Sequence, residues 1–101
     1  MLDKEDVMRL FTSLGDPMRL EIIFLLGEHD RLNVGEIAAN FRLSRPAISH
    51  HLKVLKDAHV LKSEKRAQEV YYWLDIASVS QRFRAVIQEI EACQAEMQAH
   101  Q

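Results

Sequence analysis

Five residues that donate hydrogen bonds or carry positive charge, Arg45, Ser49, His50, Lys53 and Lys56, fall within a short stretch of the 101-residue chain. Ile48, Leu52 and Leu55 recur among them at helical spacing, so a helix here is apolar behind and polar in front. Ser44 offers an N-cap hydroxyl to an orphan N–H one turn on. Pro46 falls in the first turn, where its missing N–H costs nothing. No acid interrupts the exposed face until Asp57. The chemistry such a face supports is recognition rather than bond making, and a DNA major groove accepts a helix of this kind. On these residues alone, a solvated helix face with incidental lysines is the alternative.

Within that face Arg45 is the first candidate for reading a base, since a guanidinium at the helix start can bond bidentately to guanine. A phosphate contact is the competing role, because phosphate and sugar take over half of such hydrogen bonds. Ser49 and His50 are the next candidates for base or backbone contacts and Lys53 for phosphate, with Arg42 and Ser44 as further DNA-binding candidates. His51 follows Ile48 by three residues, flanks the buried side, and is expected to make a structural hydrogen bond.

The charge distribution agrees with this reading better than the total does. The net charge is −2, yet residues 41–66 hold seven basic side chains (Arg42, Arg45, Lys53, Lys56, Lys62, Lys65, Arg66) against Asp57 and Glu64. That segment carries +5 and the remainder −7. A basic middle between acidic flanks suits a phosphate-facing surface and discourages indiscriminate binding.

The elements that position this face can be read in order. Asp3 caps a first helix over 4–14 with Val7, Leu10, Phe11 and Leu14 as its apolar stripe. Asp16 and Pro17 open a second over 17–28, with Met18, Ile22, Leu25 and Leu26 inward and Arg19 and Glu21 outside. Leu32 suits a short strand. Asn33 caps a third helix over 34–41 with Val34, Ile37, Ala38 and Phe41 buried. The brief link to the basic helix makes a helix-turn-helix over 34–58. From Val60 the period becomes two, giving strands around Val60–Glu64 and Glu69–Leu74 with a Lys65–Gln68 turn. This hairpin is a wing over 60–74, and Lys65, Arg66 and Gln68 at its tip are candidate DNA contacts. Tyr71 and Tyr72 alternate sides, so one is expected in the core and one outside.

Asp75 caps a last helix over 76–99. Val79, Phe83, Val86, Ile90, Cys93 and Met97 are spaced 4, 3, 4, 3, 4, a narrow coiled-coil-like seam. So small a domain has too little surface to cover it, so it reads as a dimer interface, joined by Val7 and Phe11 of the first helix. The competing reading is packing of this helix on the domain's own core. Cys93, within the seam, is expected to be buried as a small apolar residue. A lone cysteine excludes an intrachain disulfide and suits a reducing cytoplasm. No apolar run approaches a membrane span, and no signal-peptide pattern opens the chain. One domain is expected over 1–101.

With these pieces in place, the chain resembles the ArsR family of small winged-helix repressors, the arsenic and metal sensors. The resemblance rests on Gly15-Asp16-Pro17-Met18-Arg19-Leu20, on residues Leu43 to Leu55 and on Val70-Tyr71-Tyr72-Trp73-Leu74. It implies a mainly α fold with a small β-hairpin, in the order α-α-(β)-α-α-β-β-α, dimeric through its terminal helices. It also implies double-stranded DNA with a palindromic operator as partner, and repression released by a signal. Metal-sensing relatives carry a Cys-x-Cys-type pair where this chain has Asn33 and Gly35, so the soft-metal site is missing. Zinc-sensing relatives carry ligands on the last helix where this chain has Ile76, Ser78, Glu89 and Ala92, one possible ligand of four. Dithiol relatives need two cysteines. Wing turns of the family often hold Gly, whereas this chain has Ala67. Glu96 and His100 stand one turn apart, but two ligands do not make a site. No metal, cofactor or membrane partner is expected, and the effector is open. No nucleophile–base pair or phosphate loop suggests an enzyme. The alternative function is a protein-interaction module that uses wing and long helix for docking.

Overall fold

The computed structural model describes residues 2–99. Five helices and three strands follow in the order α1 (Lys4–Leu14), α2 (Pro17–Glu28), β1 (Leu32–Asn33), α3 (Val34–Ala38), α4 (Arg45–Asp57), β2 (Leu61–Arg66), β3 (Glu69–Leu74) and α5 (Ile76–Ala99). The fold is a mainly α winged helix-turn-helix. Asp3 caps α1 by accepting from the Glu5 and Asp6 amides at 3.1 and 3.2 Å. Asp75 does the same for α5, accepting from the Ser78 amide at 3.2 Å.

Leu10, Ile22, Leu26, Ile37, Ile48, Leu52, Leu55, Ala58, Val60 and Leu61 form the buried core. Each of the first four helices thus contributes to one apolar centre, and α4 contributes most. The sheet is antiparallel with strand order β1-β3-β2. Leu32 pairs with Tyr72 and Asn33 with Tyr71, while β2 pairs with β3 from Leu61–Leu74 out to Arg66–Glu69. The short strand expected at Leu32 therefore forms, and it turns the hairpin into a three-stranded sheet.

Four local expectations are corrected. The third helix stops at Ala38 rather than Phe41. Its carbonyls are taken by tighter turns, Asn40 N–H to Ile37 and Phe41 N–H to Ala38, and by the Asn40 side-chain amide on Glu36. The wing turn is Ala67-Gln68 alone, because Lys65 and Arg66 remain paired in β2. Tyr71 and Tyr72 are both half-buried. The outer face of β3 is roofed, since the Arg31 guanidinium lies 3.9 Å over the Trp73 ring. On the other face burial pushes the Tyr72 phenol up from 10.0. Arg19, placed outside by periodicity, folds inward instead. Its Nε donates to the Ser13 carbonyl at 2.6 Å and its Nη2 to that of Thr12 at 3.4 Å, satisfying the end of α1.

Candidate nucleic-acid interface

Helix α4 is built as its sequence prescribes. The Ser44 hydroxyl accepts from the Ala47 amide at 3.3 Å, and Pro46 lies in the first turn. Ile48, Leu52 and Leu55 are wholly buried. Steps of three and four residues turn Arg45, Ser49, His50, Lys53 and Lys56 away from that seam, and all five are exposed. The other sequence-predicted contacts, Arg42 and Ser44 ahead of the helix and Lys65, Arg66 and Gln68 at the hairpin tip, are exposed as well.

The helix in front of α4 is fixed by a capping box. Asn33 Oδ1 accepts from the Glu36 amide at 2.8 Å, and Glu36 Oε1 accepts from the Asn33 amide at 2.9 Å. The Arg45 guanidinium lies beside this first turn. A Cβ on Gly35 would sit 3.8 Å from its Cζ, ordinary van der Waals distance. Arg45 thus lies exposed at the junction of α3 and α4.

The wing is tied to the body by charge. Arg31 Nη1 donates to Glu64 Oε2 at 2.9 Å while its guanidinium stacks on Trp73. The same Glu64 oxygen lies 3.5 Å from Arg66 Nε. Both arginines share one carboxylate, and at the tip Lys65 stands beside Arg66 while Glu69 pairs opposite it. At that tip Ala67 holds φ of 55°, the left-handed region at the first central position that type II′ turns require and that glycine fills most readily.

His51 is half-buried, as expected of a structural residue. Its Nδ1 lies 3.4 Å from Arg19 Nη1 and 3.4 Å from Asp16 Oδ2. Asp16, expected as the N-cap of α2, occupies that position, but its side chain makes no cap hydrogen bond, a correction to the sequence reading. Its Oδ2 is buried without a hydrogen bond and stands 3.7 Å from Arg19 Nη1. The cluster links the entry of α2 to the middle of α4.

Three groups escaped sequence reasoning: this Asp16–Arg19–His51 cluster, the Arg31–Trp73–Glu64 clamp, and Arg82. Arg82 sits in α5, and its Nη1 and Nη2 donate to the Ala58 and His59 carbonyls, both at 2.7 Å. The Gly15–Leu20 segment held Asp16 and Arg19 in view, but nothing in the sequence links them to His51.

The seam along α5 divides in two. Val79 packs against the core, and Phe83 meets Phe11 edge-on, with ring centroids 5.5 Å apart and planes at 81°. Val7 and Val86 are half-buried. Beyond them Ile90 and Met97 are 62% and 67% exposed, and Cys93 is exposed. Burial of Cys93 within its own chain is thus corrected. A 24-residue helix spans about 36 Å, and the molecule measures 59 × 25 × 23 Å, so the end of α5 outruns the core. His100 lies outside the described residues. Among the described residues no three His, Cys, Asp or Glu side chains gather as a metal site, and no helix is long and apolar enough to cross a membrane.

The architecture recurs in known proteins. Residues 16–63, from the cap of α2 into β2, match the family model described as bacterial regulatory protein, arsR family. The transcriptional repressor SdpR of Bacillus subtilis is 41% identical over 66 residues, covering 65% of this chain and 72% of that protein. An uncharacterized HTH-type transcriptional regulator of Methanocaldococcus jannaschii is 32% identical over 87 residues, covering 86% of this chain and 93% of that one. Among solved structures, the ArsR-like transcriptional regulator from Rhodococcus sp. RHA1 superposes with a TM-score of 0.85 over 95% of this chain and 90% of its own, at 24% identity. A homodimeric winged helix-turn-helix DNA-binding domain from Mycobacterium bovis gives 0.70 over 87% and 80%, also at 24%. The family match takes in all of α4 and the first residues of β2, and with these relatives it settles the kinship: this chain belongs to the arsR family of bacterial regulatory proteins.

Proposed function

We propose that this protein is a homodimeric, sequence-specific DNA-binding repressor that reads an inverted-repeat operator with α4 and the wing tip. The observation that carries the proposal is the division of α4. Ile48, Leu52 and Leu55 are wholly buried, while Arg45, Ser49, His50 and Lys53 stand free on the opposite side. In this reading Arg45 bonds a base edge, Ser49 and His50 contact base or backbone, and Arg42, Ser44 and Lys53 hold phosphates. Lys65, Arg66 and Gln68 touch the flanking backbone.

The exposed half of the α5 seam supports the dimer. Val7, Phe11, Val79, Phe83, Val86, Ile90, Cys93 and Met97 line its interface, and the apolar side chains left bare at Ile90 and Met97 find cover in a second copy. The two-fold partner brings a second α4 to the next major groove, roughly 34–36 Å away. The whole chain acts as one winged-helix unit, in the cytoplasm, without a resident metal. The similarity to the repressor SdpR supports repression as the outcome of binding.

Selection of bound DNA from a random pool tests the proposal. Recovery of an inverted repeat is expected, with affinity that falls steeply with salt. Recovery of no common sequence, with weak and salt-insensitive binding, would leave the chain as a protein-interaction module.

A further inference from the structure

Among the described residues Arg82 is the one charged side chain that is buried. Its guanidinium is spent on the end of α4. That end is a Schellman motif: the His59 amide bonds the Lys56 carbonyl at 3.0 Å and the Val60 amide bonds the Leu55 carbonyl at 2.9 Å. His59 takes the left-handed position, at φ of 58°, that glycine most often fills. The motif leaves the Ala58 and His59 carbonyls free. Arg82 Nη1 and Nη2 take one each at 2.7 Å, and Nε donates to the Ser78 carbonyl at 3.2 Å within α5. Asp6 of α1 stands 3.7 Å from Nη1. A planar fork on two successive carbonyls fixes orientation as well as distance, which an ammonium group cannot do.

We propose that Arg82 is a positioning residue for DNA binding, which locks the C-terminal end of the recognition helix to α5 and so sets the separation of the two recognition helices in the dimer. The inference rests on the function proposed above. Arg82 is flanked on α5 by Val79, Phe83 and Val86 of the seam, so the helix that the partner holds is the helix that holds α4. At the exit of α4 the core residues Ala58, Val60 and Leu61 and the Asp75 amide on the Val60 carbonyl, at 2.9 Å, hold the chain in place. To these the Arg82 fork adds a polar, directional contact that reaches from the middle of the seam-bearing stretch of α5.

The test uses the full chain carrying Arg82→Lys or Arg82→Met, and the selected operator together with versions that have one base pair added or removed between half-sites. Each such change moves one half-site by about 3.4 Å and about a tenth of a turn. Wild type should prefer the parent spacing. Arg82→Lys, which keeps the charge, should remain dimeric in sedimentation. It should bind the parent operator about tenfold more weakly, the loss expected when roughly one charge-assisted hydrogen bond goes. Its preference among spacings should flatten. His59→Gly relieves the left-handed residue without touching the carbonyls, so adding it to Arg82→Lys or Arg82→Met should restore thermal stability and leave the spacing profile flat. An unchanged spacing profile in Arg82→Lys, or one that returns with stability in the double variant, makes Arg82 a structural residue and overturns the proposal. Failure of wild type to select any inverted repeat shows in the parent arm and removes the functional reading along with it.

Discussion

The roles assigned to Arg45 and Lys53 differ in a way that one titration series resolves. Both are exposed on α4, and in a two-fold dimer each substitution removes two side chains from the interface. If Lys53 neutralises a phosphate, Lys53→Ala removes two, and the slope of log affinity against log salt becomes shallower by about 1.8. Raising salt from about 50 to about 200 mM then costs wild type about twelvefold more affinity than it costs the variant. The loss should be the same on the operator and on a scrambled duplex, because phosphates carry no sequence. Arg45 is placed at the first turn, with its guanidinium beside Gly35 at the junction of α3 and α4. A bidentate contact to a base from there is worth about 1–3 kcal/mol of discrimination, between about fivefold and about 150-fold per half-site. Arg45→Ala should therefore collapse the ratio of operator to scrambled affinity and relax selection at one symmetric position. Fluorescence anisotropy of labelled duplexes at four or more salt concentrations reads both quantities. An unaltered salt slope in Lys53→Ala would refute its phosphate role. Equal weakening of both duplexes by Arg45→Ala would make Arg45 a phosphate clamp, and specificity would rest on Ser49, His50 or DNA shape.

Other expectations are simpler to state. Ile90→Glu should yield a folded monomer in sedimentation, since Ile90 is 62% exposed in its own chain and a buried unpaired charge is costly only in the dimer; a stable dimer would remove α5 from the interface. Phe83→Glu should lower stability as well, because the ring also packs on Phe11. Ala67→Gly should raise the melting temperature by a few degrees, as relief of about 1–2 kcal/mol at a left-handed alanine outweighs the entropy glycine adds; a fall would show that the turn is unstrained. Zinc, cadmium or arsenite at stoichiometric levels should leave operator affinity unchanged, since among the described residues no three His, Cys, Asp or Glu side chains gather as a metal site; tight zinc binding that weakens operator affinity severalfold would refute this.

The elements were legible wherever a local signal sets them. Capping by Asp3, Ser44, Asn33 and Asp75, prolines in the first turns of α2 and α4, and the switch of period at Val60 placed every helix and strand within a few residues. The exposed face of α4 followed from the same period that buried Ile48, Leu52 and Leu55. What periodicity could not supply were the polar contacts between elements. Arg19 has the spacing of an exposed residue and folds back on α1, since unsatisfied carbonyls at a helix end attract a guanidinium wherever one can reach. Arg82 lies beside an apolar seam, and its partners, Ala58 and His59, are backbone atoms that any residue would offer. The seam of α5 was legible as a pattern, but a pattern does not say whether the cover comes from the chain itself. The exposed Cys93 and Ile90 show where the chain's own cover ends.

The place of β3 at the centre of the sheet has a consequence for how the protein is made. The strand that opens the helix-turn-helix, at Leu32, is paired with Tyr72, forty residues further along. A chain leaving the ribosome exposes α3 and α4 long before that partner emerges, and pairings so distant in sequence form late. The start of α3 is thus not anchored to a sheet until the far side of the wing has been synthesised. A chain truncated before Tyr72 keeps all of α4 but lacks the strand that pairs with Leu32, so such a fragment should be more open to proteases than the full chain. Once Tyr71 and Tyr72 are available the sheet closes around Leu32 and Asn33, and the helix-turn-helix gains its anchor last.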